Sequence, residues 1–311
     1  IITFVINLIS VPYNAAIIAH EKMSAFAYIS ILEAMAKLTI AFLIMASPID
    51  KLIFYAILMC VVAIVIRLTY GHYCKKHFAE CTYHFHWDKD ILKQMFGFAG
   101  WNFIGCSSAI LRDQGVNVLL NIFYGPAVNA ARGIAVQVNT AINGFVVNFT
   151  TALNPQITKS YASEDYNTMF TLIYKGARFS YYLLLILSLP ILFETHYVLD
   201  LWLKNVPEHT VIFVRLIIIF SMCESISVPL ITAMMATGRI RNYQIIVGGL
   251  QMLNFPLSYI ALSLGYMPET TIVIMIVVSL MCLAARLYML KNMIMLNILN
   301  YVRKVLLNAL T

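Results

Sequence analysis

Residues 210–235 read TVIFVRLIIIFSMCESISVPLITAMM, a run in which only Arg215 and Glu224 carry charge. A bilayer core of about 30 Å is crossed by about 20 mostly apolar helical residues, so this segment alone is long and apolar enough to span. Its neighbours repeat the pattern. Comparable runs, broken by charge, Pro and Gly, occupy residues 1–19, 24–46, 52–70, 92–123, 127–153, 169–193, 243–264 and 271–290. Period-two alternation is absent and the runs are too long for barrel strands. The expected fold class is all-α, a polytopic membrane helix bundle of nine spans.

Composition agrees. Of 311 residues, 61% are hydrophobic and 11% are charged, against about 25% charged in soluble domains. Twenty-one basic and 14 acidic side chains do not make a polar shell for a soluble fold of this size. Cys60, Cys106, Cys223 and Cys282 fall inside apolar runs while Cys74 and Cys81 share a basic segment, so free thiols are expected rather than a disulfide framework. The chain opens Ile1-Ile2-Thr3-Phe4 without Met or a basic flank, which fits neither a signal peptide nor a natural terminus. A fragment entering in mid-helix is expected.

The formal net charge of +7 does not point to nucleic acid, because the basic residues gather at helix ends. Fifteen of them, among them Lys22, Arg67, Lys75, Lys76, Lys159, Arg239, Arg241 and Arg286, fall on one side, and Lys51 and Lys204 fall on the other. The Lys- and Arg-rich side is cytoplasmic by the positive-inside rule. Lys37, Arg112, Arg132 and Arg215 lie within helices.

The opening stretch also contains half of an internal repeat. Ser227-Val228-Pro229 echoes Ser10-Val11-Pro12 at an offset of 217, with Ala16/Ala233, Ala19/Ala236 and Lys22/Arg239 in register. Arg67-Leu68 and Arg286-Leu287 repeat at 219. Copies running in the same direction imply a parallel duplication about an axis along the membrane normal, with a six-helix parent lobe. Residues 1–70 are then the last three helices of one lobe and 91–290 a complete second lobe. Residues 71–90, GHYCKKHFAECTYHFHWDKD, form a cytoplasmic linker between them. Residues 291–311, basic among Met, Leu and Ile, are expected to form an interfacial helix or a truncated following span.

Several segments resemble a known family. Arg112-Asp113-Gln114-Gly115-Val116-Asn117, Gly125-Pro126-Ala127, Asn129-Ala130-Ala131-Arg132-Gly133, and Asn154-Pro155-Gln156-Ile157 with Lys159-Ser160-Tyr161 resemble bacterial polysaccharide flippases of the Wzx type, in the MOP superfamily with lipid II flippases and MATE exporters. Pro12-Tyr13-Asn14 through Lys22 and Leu201-Trp202-Leu203 are similar to other parts of that family. The resemblance implies a two-lobed MOP/MATE-like fold lacking about its first three helices. It further implies transport of undecaprenyl-pyrophosphate-linked oligosaccharide across the bacterial inner membrane. The expected partners are that lipid-linked sugar, membrane lipids and enzymes of polysaccharide assembly.

Helices 92–123 and 127–153 are the most polar. Polar groups in hydrocarbon are costly and must face protein or water. At 100° per residue, Arg132, Asn139 and Asn143 fall within about 40° of one another, and Asn102, Asp113 and Asn117 within about 60°. Such stripes suit a hydrated cavity in which amides meet sugar hydroxyls and Arg meets phosphate, or equally the polar glue between membrane helices. Arg132 is expected to contact the pyrophosphate, with Arg112 either joining it or pairing with Asp113. Glu33 and Lys37, spaced i,i+4, form a packed self-neutralised pair or a coupling-ion site. Glu224, matched by Asn7 in the repeat, is a proton- or cation-coupling group or a hydrogen-bonded structural acid. Cys74, His77, Cys81, His84 and His86 fit no standard zinc spacing and read as a solvated loop.

No nucleophile–base pair, Walker A run or metalloprotease helix is present, so neither an enzyme nor a cofactor or metal is expected. The alternative is a MATE-like cation-coupled drug antiporter, which Arg112 and Arg132 disfavour. A membrane glycosyltransferase or polymerase would need a larger outer loop than residues 194–209 supply.

Overall fold

The computed structural model describes residues 2–44, 50–81, 87–203 and 205–308. Lys204, counted above on the outer side, and His84 and His86 of the Cys/His segment lie outside the described residues. Among those described, the chain is helical and contains no strand. It divides into two compact units, Ile1–Trp87 and Asp88–Thr311.

The first unit is a helical trio: α1 (Ile2–Ala19), α2 (Met23–Leu43) and α3 (Lys51–His77), followed by a 3-10 turn at Ala79–Cys81. Asp50 starts α3, its Oδ1 accepting the N–H groups of Leu52 at 2.8 Å and Ile53 at 3.3 Å, which satisfies two donors that a helix start leaves free. The helix does not stop near Tyr70 but continues through 71–77, closing on Lys75, Lys76 and His77. Positive charge suits the carbonyl-rich end of a helix, so the first third of the expected linker is helical. Ile17, Ala25, Ile29, Ile66, Cys74 and Phe78 form the core. Cys74 is thus a core thiol, its Sγ 3.4 Å from the Tyr13 carbonyl oxygen, and not a loop residue.

The second unit begins with α4 (Lys89–Ala162), continuous in hydrogen bonding except at Gly125, whose φ of 81° and ψ of 178° are non-helical. Only glycine adopts such a φ without strain, and Pro126 then supplies the fixed φ that favours a first helical turn. Two arms, 89–124 and 126–162, result. They reverse on each other, because Arg132 Nη1 hydrogen-bonds Asn117 Oδ1. In a straight helix those positions would be about 22 Å apart.

Next come α5 (Tyr166–Phe193), the short α6 (Thr195–Trp202), α7 (Thr210–Ala236), α8 (Arg241–Met252), α9 (Asn254–Ser263), α10 (Thr270–Ile294) and α11 (Ile298–Tyr301) with a π-turn at Val302–Leu307. The break between α8 and α9 falls where Pro256, three positions into α9, has no N–H to continue the ladder.

Among the described residues, six segments are long and apolar enough to cross a membrane: α2, α3, α5, α7, α8–α9 together and α10. The chain is therefore a multi-pass membrane protein. Nine spans are expected from the sequence; among the described residues α1 is a shorter apolar helix, and the arms of α4 are diluted by their amides and charges.

Helix α7 is the centre of the second unit, packing against α4, α5 and α10. One core cluster joins it to α4 and α5 through Leu120, Ala135, Leu184, Phe213 and Val214. Another joins it to α8, α10 and the tail through Leu230, Val247, Leu290 and Tyr301. Over 298–307 the tail is helical and packs on the second unit through Tyr301 and Val305. Tyr301 is fully buried and donates its hydroxyl to the Ile226 carbonyl at 2.8 Å, one turn before Pro229 distorts α7.

Arg215, in the second turn of α7, reaches α6 by donating Nε–H to Thr195 Oγ1 at 3.1 Å. Arg286 corrects the charge count, since its side chain is 1% exposed within α10 and so carries no loop charge.

Candidate functional site

The two arms of α4 and helix α7 enclose a cavity of about 580 Å³ in the second unit. From the first arm come Arg112, Asp113, Gln114 and Asn117, and from the second Arg132, Asn139 and Asn143. Helix α7 adds Ser221, Glu224 and Ser225. The hairpin at Gly125 makes this convergence possible, because it turns two polar stripes of one long helix toward each other.

Arg132 is the most constrained of these groups. Its side chain is buried, Nη1 donates to Asn117 Oδ1, and Nε has no hydrogen-bond partner. It does not snorkel to a surface. Asn117 in turn donates through Nδ2 to Gln114 Oε1 at 3.1 Å. Nearby, the Asn139 Oδ1 is buried with no donor. An unpartnered donor and an unpartnered acceptor on one cavity wall are costly unless a ligand or water meets them.

The charges sort themselves. Arg112 pairs with Asp113, Nε to Oδ1 at 3.0 Å and Nη2 to Oδ2 at 3.2 Å, and its guanidinium lies 5.3 Å from the Phe220 ring centroid. Of the two arrangements open to Arg112, this geometry is the pairing. Glu224 accepts the Ser279 hydroxyl and lies 4.0 Å from Arg286 Nη1. Asp113 pairs with Arg112, and Glu224 has Arg286 outside the lining as its basic neighbour, which leaves Arg132 without a carboxylate hydrogen-bond partner among the described lining residues.

Asn102 is not part of this cavity. It lies on the same face as Asp113 but about 16 Å away along the axis, level with α8, where its Oδ1 accepts the Gln244 Nε2 at 3.2 Å. Angular reading places residues on a face and says nothing of their level. Ser221 and Ser225 went unread, although their spacing with Glu224 marks one face of α7.

Glu33 and Lys37 are in neither arm of α4 nor near Arg132 in sequence. They line a second cavity, of about 260 Å³, inside the first unit, with Thr3, Asn7, Ser10, Asn14 and Tyr70. Lys37 Nζ is 2.6 Å from Glu33 Oε1. Asn7 and Glu224, matched in the repeat, each line a cavity of their own unit. Arg67 lies over the Tyr13 ring at 4.2 Å, whereas Arg286 approaches the Glu224 carboxylate at 4.0 Å.

Among the described residues no group of three or more His, Cys, Asp or Glu side chains converges. Compared with known proteins, the chain matches no family model, no curated relative and no solved structure.

Proposed function

We propose that this chain belongs to a flippase that moves undecaprenyl-pyrophosphate-linked oligosaccharide across the bacterial inner membrane for surface polysaccharide synthesis. In this reading its two units belong to the two lobes of a MOP-type carrier. Transport proceeds by alternating access and involves no covalent chemistry. The single observation that carries the reading is the cavity in which a buried Arg132, with an unpartnered Nε, stands among Asn117, Asn139 and Asn143.

A guanidinium with free N–H donors fits a phosphate oxygen. Amides serve hydroxyl-rich sugar, since each offers both donors and an acceptor. A cation-coupled drug antiporter is the weaker reading, because the acids here already have basic neighbours while Arg132 has only an amide partner. Enzymes of polysaccharide assembly would supply and consume the substrate.

The test replaces Arg132 in cells that depend on this protein for surface polysaccharide. A charge-assisted bond contributes about 1.5–3 kcal/mol, so Arg132→Ala should lower export by about tenfold to a hundredfold. Arg132→Lys, which keeps the charge and loses the forked donors, should retain a part. Normal export by the Ala variant at wild-type protein level refutes the phosphate role.

A further inference from the structure

We propose that Cys74 and Cys81 form a redox-active dithiol, which a hydroperoxide closes to a disulfide and a small dithiol reductant reopens. Helix α3 ends at His77 and the chain then turns back on it. Phe78 donates its N–H to the Cys74 carbonyl at 2.8 Å, and Cys81 donates its own to the Phe78 carbonyl at 3.2 Å. The return packs Cys81 against the core to which Cys74 belongs, and the two thiols come within hydrogen-bonding reach of each other. That closeness is what a disulfide requires, since its Cβ atoms stand about 3.5–4.5 Å apart. The other thiol of this unit, Cys60, is about 21 Å away along α3, and Cys106, Cys223 and Cys282 belong to the second unit.

The two sulfurs have different access. Cys74 is fully buried with its Sγ 3.4 Å from the Tyr13 carbonyl oxygen, whereas Cys81 is partly exposed, so an oxidant arriving from solvent meets Cys81. Its thiolate attacks the peroxide: an S–O bond forms, the O–O bond breaks, and the departing hydroxide takes up the proton that Cys81 gave to become water. The Cys74 sulfur then attacks the Cys81 sulfur. The S–S bond forms, the S–O bond breaks, and the Cys74 proton leaves with that oxygen as a second water. The thiols lose two electrons and the peroxide gains them. The dithiol reductant reverses the state by exchange through a mixed disulfide with Cys81 and ends as a disulfide itself.

Closure changes what ties the end of the first unit together. Cys74 gives up the S–H that faces the Tyr13 carbonyl of α1. The turn Ala79–Cys81, whose Glu80 holds His20 just past the end of α1, becomes covalently fixed to α3. Lys75 and Lys76 put this junction on the side that the positive-inside rule assigns to the cytoplasm, a reducing compartment in which such a pair rests as thiols and closes under oxidant. The site stands without the carrier reading.

The experiment treats the purified full chain in detergent with hydrogen peroxide, alkylates the remaining thiols, digests with trypsin and maps the peptides by mass spectrometry. Trypsin cuts after Lys75 and Lys76, so the disulfide should appear as the Cys74 and Cys81 peptides joined, and a dithiol reductant should separate them. Dimedone, which captures sulfenic acids, should label Cys81 about fivefold or more strongly in Cys74→Ala than in the wild type, where Cys74 consumes the sulfenic acid. If Cys74→Ala does not fold, Cys81→Ser decides instead, since that position is only partly buried: its Cys74 should stay reduced under the same peroxide. The proposal is overturned if the two peptides are not joined. It is also overturned if dimedone labels Cys81 equally in the wild type and Cys74→Ala, or if Cys74 is oxidised as readily in Cys81→Ser as in the wild type.

Discussion

The guanidinium of Arg286 is buried inside the second unit with its Nη1 4.0 Å from the carboxylate of Glu224, which opens on the cavity. The two ends of this pair are unequal. Glu224 keeps the Ser279 hydroxyl as a donor and meets the cavity, whereas Arg286 has Nε and Nη1 without hydrogen-bond partners. Removing the acid leaves a buried guanidinium without its carboxylate; removing the base leaves an acid that still meets the cavity. Glu224→Gln is expected to cost about 3–5 kcal/mol, and Arg286→Met about 1 kcal/mol. The double variant should recover most of the Glu224→Gln loss. Melting of the four proteins in detergent forms the cycle, and equal losses for the two single variants would show that the pair is not polarised in this way.

Asn139 separates stability from function. Its buried Oδ1 has no donor, a burden of about 1–3 kcal/mol that a leucine of similar size would not carry. Asn139→Leu is expected to raise the melting temperature by a few degrees and to lower export. A variant that loses both stability and export would show that Asn139 is packing glue.

Close approach of the first arm of α4 to α8 depends on small residues. A Cβ on Gly105 would stand 1.9 Å from Gln244 Oε1, while one on Gly100 meets nothing within 4 Å. Gly105→Val is expected to cost about 1–3 kcal/mol through overpacking, with the Gln244–Asn102 bond lost as well. Gly100→Ala should be neutral or stabilising by up to about 1 kcal/mol, since alanine is the better helix former. Thermal melting compares them, and similar effects at the two sites would contradict the packing described.

At one end of the first unit, His20 stacks on Phe78 at 4.2 Å and hydrogen-bonds Glu80. That bond holds the Glu80 carboxyl below the usual carboxylate range. A depressed folded-state value stabilises the fold above the ordinary carboxylate pKa, and the contribution disappears as pH falls through the lowered value. Acid should therefore loosen this junction, and Glu80→Gln should remove that part of the pH dependence. The ring signals of His20 in NMR spectra, followed between about pH 3 and 6, would test it; an unchanged titration in the variant counts against the contact.

Much of this architecture is legible in one dimension. Membrane helices need length and apolarity, both additive along the chain, so residues 210–235 announced α7 and the other runs announced their helices. Gly125-Pro126 marked the reversal in α4 because glycine admits a positive φ that other residues resist and proline fixes its own φ and lacks the N–H that would continue a helix. The stripe Arg132, Asn139 and Asn143 was likewise readable from helical periodicity, and all three line one cavity. Depth and partnership were not readable. Asn102 shares a face with Asp113 yet meets α8, because axial level is set by which helix packs there. Arg286 looks like a helix-end charge, and only the packing of α10 against α7 and α8 buries it. The polar residues of α1 and the pair on α2 line one cavity only because three separate helices close around a common space. Local backbone preference and transfer energy belong to the sequence, whereas convergence of side chains from distant helices is decided by the packing that brings them together.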